Sequence, residues 1–357
     1  MSEHHEIGPA PLVPGAYDSP IEVAAEVRRH AQALWSSAII HAAARLRIAD
    51  LIDEEPVSVT DLARKAGADE AALLRLLRAL DAHGLFRHVG EDRYVHTEYS
   101  RTLRSDSASG VLNLSLLGAS EWNWTVWARL ADAVRTGRPA FPDVYGKDLY
   151  RYFAEDDPEA GAVFNRAMSE SGKWTTGPVA ASLDMTGVTT VADVGGGQGG
   201  LLRAILERYS DTTGTLIDSP QVLKHVDPVL RQAPLAQRYT EAPADIRESV
   251  PAKADLYILR QVMHIWDDET CVGILRNCAA SARPGAKLVL VEHVITPEAR
   301  PNSTFSTLID LTMMLIGPGR ERTAAQFADV MSAAGFTFTG VVDTPTPLKL
   351  LVGALKD

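Results

Sequence analysis

The chain has 357 residues, 46% apolar and 23% charged, with 35 lysines and arginines against 46 aspartates and glutamates. A net charge of −11 repels nucleic acid and anionic membranes unless a concentrated basic patch offsets it, and the sequence has no such patch. No stretch approaches the roughly 18 consecutive apolar residues of a membrane span, and the length suits two domains rather than one core.

Residues 1–20, MSEHHEIGPAPLVPGAYDSP, are polar and proline-rich and lack the basic-then-apolar order of a signal peptide. They are expected to form a disordered tail, with His4 and His5 part of it rather than metal ligands. From 21 to 106 apolar residues recur at helical spacing. Thr60 is placed to cap one short helix that Gly67 ends, and Asp69 opens a second that Gly84 stops. LFRHVGEDRYVHT then reads as two strands around a Gly90-Glu91-Asp92 turn, which completes the layout of a winged helix. In a DNA reader the second helix lies in the major groove. Here that helix carries Leu73, Leu74, Leu76, Leu77 and Leu80, leaving little but Arg75 and Arg78 to read bases. Over 58–105 eight basic residues face seven acidic ones, so the module is read as a scaffold for dimerisation.

Residues 107–181 are expected to be a helical connector rich in aromatics: Trp122, Trp124, Trp127, Tyr145, Tyr150, Tyr152, Phe153, Phe164 and Trp174. Most belong to a core, with a few offered to a flat ligand. From 182 to 357 the pattern changes to short apolar runs (TTVADV, GTLID, ADLYIL, KLVLVEHVI) alternating with helices, the signature of a parallel sheet with crossovers. Two last runs, FTFTGVVD and LKLLVGAL, are too close for a helical crossover and are expected to pair antiparallel at one edge. Cys271 and Cys278 stand seven apart on one helix, roughly 10 Å and beyond disulfide reach. They are read as reduced, in a cytoplasmic protein.

VADVGGGQGGLLRAILERY is a strand, a glycine turn and a helix, with Gly195, Gly197 and Gly200 in the G-x-G-x-x-G spacing of nucleotide sites. Asp218 ends the next strand, where an acid bonds a ribose hydroxyl. Two cofactors, NAD and S-adenosylmethionine, carry that ribose. Asp193, two residues before the first glycine, repels a pyrophosphate but holds an ammonium. No substrate domain follows the sheet, and reactive residues cluster at its later strands. S-adenosylmethionine is the better fit.

The motifs DVGGGQGG, LIDSP, ADIRESVPAKADLYILRQVMHIWDDE, KLVLVEHVI and GRERT occur in this order. In combination the chain resembles the O-methyltransferases of plant phenylpropanoid and bacterial natural-product pathways, over nearly its whole length from about Val27. The resemblance implies an α/β fold: a Rossmann-like, mostly parallel sheet with an antiparallel C-terminal strand pair, preceded by a mainly helical winged-helix dimerisation domain. It implies a homodimer, S-adenosylmethionine as cofactor and a small aromatic acceptor. Gly195 and Gly197 would approach the methionyl part, Asp218 the ribose, Asp245 and Ile246 the adenine, and Arg260 the cofactor. His264 would be the general base, flanked by Glu292 and Glu321, and Phe164, Met168 and Met313 would enclose the acceptor. Ser219 replaces a usual apolar residue, and Ile265 replaces a frequent Asp, so orientation of His264 must come from Glu292 or Glu321.

The chemistry agrees with these residues. A phenol near pKa 10 is protonated at neutral pH, and a histidine within hydrogen-bond reach makes the reactive phenolate. Nothing in the sequence has the spacing of a zinc or magnesium site, so metal-free catalysis is expected. Two rivals are an enzyme of this fold with another reaction, such as hydroxylation of an aromatic polyketide, and a ligand-sensing winged-helix regulator.

Overall fold

Alternating burial along the strands of the C-terminal half decides the architecture. In Thr190–Val194, Val191 joins one apolar cluster while Ala192 and Val194 join another. Leu256 and Ile258 part in the same way from Tyr257 and Leu259, as do Val289 and Val291 from Leu288 and Leu290. Side chains of period two thus feed two cores, one on each face of a sheet, which is why these strands read as continuous apolar runs. The structure is a computed structural model and describes residues 12, 15, 19–108, 110–296 and 304–356.

The sheet has seven strands: β1 (Thr190–Val194), β2 (Thr213–Asp218), β3 (Tyr239–Pro243), β4 (Leu256–Arg260), β5 (Lys287–Glu292), β6 (Phe336–Asp343) and β7 (Lys349–Leu355). Their spatial order is β6-β7-β5-β4-β1-β2-β3. β1 to β5 are mutually parallel, and β7 runs antiparallel to both β5 and β6, as the short TPTP link requires. The order reverses between β4 and β1, a switch point where ligands bind beyond the carboxyl ends of the strands. Helix Gly200–Arg208 buries Leu201, Leu202, Ile205 and Leu206 on one face of the sheet. On the other face, Asp268–Ser281 buries Ile274, Leu275 and both cysteines, which are free.

The chain divides into two units. One takes Val126–Asp157 and Gly172 onward; the other takes the described residues up to Thr125 together with Pro158–Ser171. The segment expected as a single connector is therefore shared between them. Glu170 shows why its later part joins the N-terminal unit: its carboxylate accepts from Asn113 Nδ2 at 2.6 Å and from the Leu114 amide at 3.0 Å. The expected tail, 1–20, lies almost wholly outside the described residues.

Within the N-terminal unit, helices Val59–Ala66 and Glu70–Ala82 are followed by the hairpin Phe86–His88 and Arg93–His96, with Val57–Ser58 as third strand. Gly67 ends the first helix in the left-handed region and Asp69 caps the second. The cap of the first is Ser58, not Thr60, because pairing with Arg93 holds Ser58 in the extended conformation an N-cap needs. Thr60 instead donates to Glu70 at 3.0 Å. Helix Pro20–Ala31 buries no residue, and Ile21 and Trp35 are 82% and 64% exposed.

Candidate active site

The second-to-last residue of strand β1 is a fully buried carboxylate. Among the described residues neither oxygen of Asp193 has a well-formed hydrogen bond, and burial pushes its pKa up to about 7 against the pull of Arg260 and of the nearby Leu202 backbone. An orphaned buried acid of this kind costs free energy unless a ligand satisfies it. Two residues on, Gly195 turns with φ 68°, and a Cβ there would stand 2.8 Å from Val262. Gly197 also has φ 62°, and a Cβ there would meet nothing within 4 Å, so its backbone faces open space. Its amide donates to Asp218 Oδ2 at 2.9 Å, and Ser219 N donates to Oδ1 at 2.7 Å. Burial raises Asp218 despite these donors. Ser219 stands where an apolar residue was expected because it caps the short helix Pro220–Leu223.

The remaining expected cofactor residues lie at the neighbouring strand ends. Asp245 holds Arg247 in a two-pronged pair, with contacts of 2.9 and 2.6 Å. Arg247 in turn lies 5.0 Å above the Trp266 ring, which stacks at 6.5 Å on Tyr150. Ile246 packs on the apolar cluster beside them. Arg260 ends β4, donates to Thr175 Oγ1 at 3.0 Å and lies with Nη2 2.9 Å from where a Cβ at Gly172 would stand. Burial pulls its pKa down, opposed by Asp193 and Glu292. One orphaned acid, a backbone cradle, a second acid at the next strand end and an apolar side chain are the chemistry that the methionyl ammonium, the ribose and the adenine of S-adenosylmethionine require.

Beyond β4 the chain makes a left-handed step at Gln261, φ 53°, a conformation that costs a non-glycine residue energy and marks functional turns. It brings two amides, Val262 and Met263, onto Glu292 Oε1 at 3.0 and 2.8 Å, and starts the 3₁₀ turn Met263–Ile265. His264 is 7% exposed, and its Nδ1 donates to Glu321 Oε1 at 2.7 Å. Glu321, not Glu292, is therefore the carboxylate that orients the ring; Glu292 holds the backbone ahead of it. An ionised carboxylate only accepts, so the proton sits on Nδ1 and the neutral ring keeps its lone pair on Nε2. Burial alone would lower His264, but the charges of Glu292 and Glu321 outweigh it and raise the pKa. Glu292 is itself raised by burial. Glu321 is placed from behind, its amide donating to Asp310 Oδ1 at 2.8 Å.

A buried histidine next to the site was not among the expected residues. His293, directly after Glu292, is 3% exposed, bonds Ser306 Oγ through Nδ1 at 3.1 Å and meets Phe305 edge-on at 5.7 Å. Burial lowers its pKa. Its signal was available: a histidine next to an acid that ends a strand at the ligand edge. Met313, on helix Thr304–Ile316, is buried in this unit. Phe164 and Met168 belong to the N-terminal unit, on helix Pro158–Gly172, and Met168 is 42% exposed.

Comparison with known proteins gives the same direction. Residues 127–337 match the O-methyltransferase domain, and 28–106 the O-methyltransferase dimerisation domain. The mitomycin biosynthesis 6-O-methyltransferase of Streptomyces lavendulae is 34% identical over 305 residues, 85% of this chain and 86% of that protein. The crystal structure of LaPhzM matches with a TM-score of 0.89 at 30% identity, over 94% of this chain and 100% of that one. NcsB1, an O-methyltransferase from neocarzinostatin biosynthesis in complex with S-adenosylmethionine and 2-hydroxy-5-methyl naphthoic acid, matches at 0.76 and 31%, over 90% and 96% of the two chains.

Proposed function

The chain belongs to the O-methyltransferase family and is an S-adenosylmethionine-dependent enzyme, and we propose that it methylates a hydroxyl of a small aromatic, phenolic or polyketide-like molecule with His264 as general base. The observation that carries this reading is the buried 2.7 Å bond from His264 Nδ1 to Glu321. It fixes one tautomer, aims a free basic nitrogen, and stabilises the imidazolium that forms, as in a catalytic triad.

When bound, S-adenosylmethionine supplies an electrophilic methyl group on a sulfonium. The protein's part is to hold and orient the partners and to take one proton. Asp193 holds the ammonium, the Gly195–Gly197 backbone cradles the methionyl part, and Asp218 bonds the ribose. Ile246, with Asp245, lines the adenine, and Arg260 steadies the cofactor end of β4. His264 Nε2 receives the phenolic proton, and Glu292, fully buried, adds the second negative charge that keeps that proton on the ring. Met313, buried on helix Thr304–Ile316, encloses the acceptor.

The exposed apolar residues of the first two helices support a homodimer through the dimerisation domain. Two buried free thiols support a reducing, cytoplasmic location. Incubation with methyl-labelled S-adenosylmethionine and a panel of phenols, quinoid natural products and aromatic amines tests the central reading. Label on a phenolic oxygen is expected; label confined to nitrogen or carbon would contradict it.

A further inference from the structure

The segment 319–322, which leads into the short strand Arg322–Thr323, touches the histidine turn at three levels. Gly319 packs so closely that a Cβ there would stand 2.1 Å from the His264 carbonyl oxygen. Glu321 bonds the His264 ring. Arg322, fully buried, donates to the Met263 carbonyl at 2.7 Å through Nη1 and to the Trp266 carbonyl at 2.7 Å through Nη2. Those carbonyls bracket His264 in sequence. Nε of the same guanidinium donates to Asp268 Oδ1 at 2.8 Å, at the start of the helix that follows the turn, and Nη1 also reaches the Arg320 carbonyl at 3.3 Å.

We infer that Arg322 is a positioning residue for His264, locking the backbone on both sides of the base to the segment that presents its carboxylate partner. Only a planar fork with donors on three nitrogens spans two carbonyls and a carboxylate at once; a lysine ammonium does not. Asp268, the counter-charge, is half-exposed, so electrostatic pairing is a minor part of why the arginine is buried there. The carbonyl bonds are the larger part. A shared anchor matters because the His264–Glu321 geometry tolerates little error: misplacing a catalytic group by 1 Å costs on the order of 10²-fold in rate.

This inference rests on His264 being the base, and the test separates the two. Arg322→Lys is expected to lower kcat on a neutral phenol by roughly 10–100-fold, the cost of slight misplacement, with KM for S-adenosylmethionine nearly unchanged. In the His264→Gln background the same substitution should cost nothing further, since a positioning residue acts only through the group it positions. Independently, proton NMR should show a far-downfield resonance from the His264–Glu321 bond, assigned by its absence in His264→Gln, that is lost or shifted in Arg322→Lys. Multiplicative losses in the double variant, or an unchanged resonance, would overturn the inference. If His264→Gln alone left the rate intact, the base reading would fall, and the resonance would still decide whether Arg322 holds the ring. Should Arg322→Lys not fold, Asp268→Asn loosens the same guanidinium from the surface side, and the same non-additivity and resonance shift are expected.

Discussion

Asp193 offers a prediction whose size follows from its burial. In the cofactor-free protein its carboxyl is pushed up to about 7, whereas an ammonium binds the ionised form. Binding must therefore expel a proton below that pH, and affinity falls as the medium is acidified. With that value, about a tenth of the molecules are ionised at pH 6 and about nine tenths at pH 8, so Asp193 should contribute roughly tenfold, ~1.4 kcal/mol, to the difference. The amino group of the cofactor titrates too, near the ordinary α-amine range. The ratio of wild-type to Asp193→Asn affinity cancels that contribution. At pH 8 the wild type should bind more tightly by about 1.5–3 kcal/mol, the usual worth of a hydrogen bond to a charged group, and the ratio should shrink about tenfold by pH 6. Titration calorimetry at both pH values measures it. A ratio flat with pH, or an asparagine variant binding as well as wild type at pH 8, would refute the pairing of Asp193 with an ammonium.

Asp218→Ala should weaken cofactor binding by about 1.5–3 kcal/mol and free the Gly197 amide, both readable by calorimetry and amide exchange. Because His264 is raised by its two acidic neighbours, and a base works deprotonated, wild-type kcat should climb through a pH above the ordinary histidine value of about 6.5. In Glu321→Gln the climb should move to lower pH while the plateau drops by about 10-fold or more, as the tautomer is no longer fixed. Prolonged dialysis against a chelator should leave the rate unchanged, even though His264, Glu292 and Glu321 each bring an atom within 4.8 Å of the others. A loss restored by a divalent ion would contradict metal-free catalysis.

The sheet was legible because its signals are local: β-branched runs between helices, a glycine turn, and a TPTP link too short to cross over. So were the strand-end residues Asp193, Asp218 and Glu292, since chain direction alone places them at one edge. The choice between Glu292 and Glu321 as partner of His264 was not legible. It depends on how far the GRERT strand is pulled in, and that is set by the parallel pairing of Arg322 and Thr323 with Val294 and Ile295. The cap at Ser58 rather than Thr60 escaped for a similar reason, because a cross-strand partner 35 residues on fixes its backbone. His293 was passed over although its signal, a histidine directly after an acid that ends a strand at the ligand edge, is local. Arg322 carries no local signal in GRERT, since its three partners, at Met263, Trp266 and Asp268, lie 54 to 59 residues away in sequence.

The central claim is that His264 takes the proton of the acceptor hydroxyl, and one comparison reaches it directly. The rates of wild type and His264→Gln are measured in single turnover, at saturating S-adenosylmethionine, on two acceptors of similar shape: one phenol neutral at the assay pH and one already ionised. On the neutral phenol the variant should be slower by about 10²–10⁴-fold, the contribution of a positioned base. On the ionised one the loss should be far smaller, since no proton remains to be removed. Equal impairment on both would show that His264 shapes the pocket and nothing more, and near-normal rates on the neutral phenol would show that positioning alone carries the reaction.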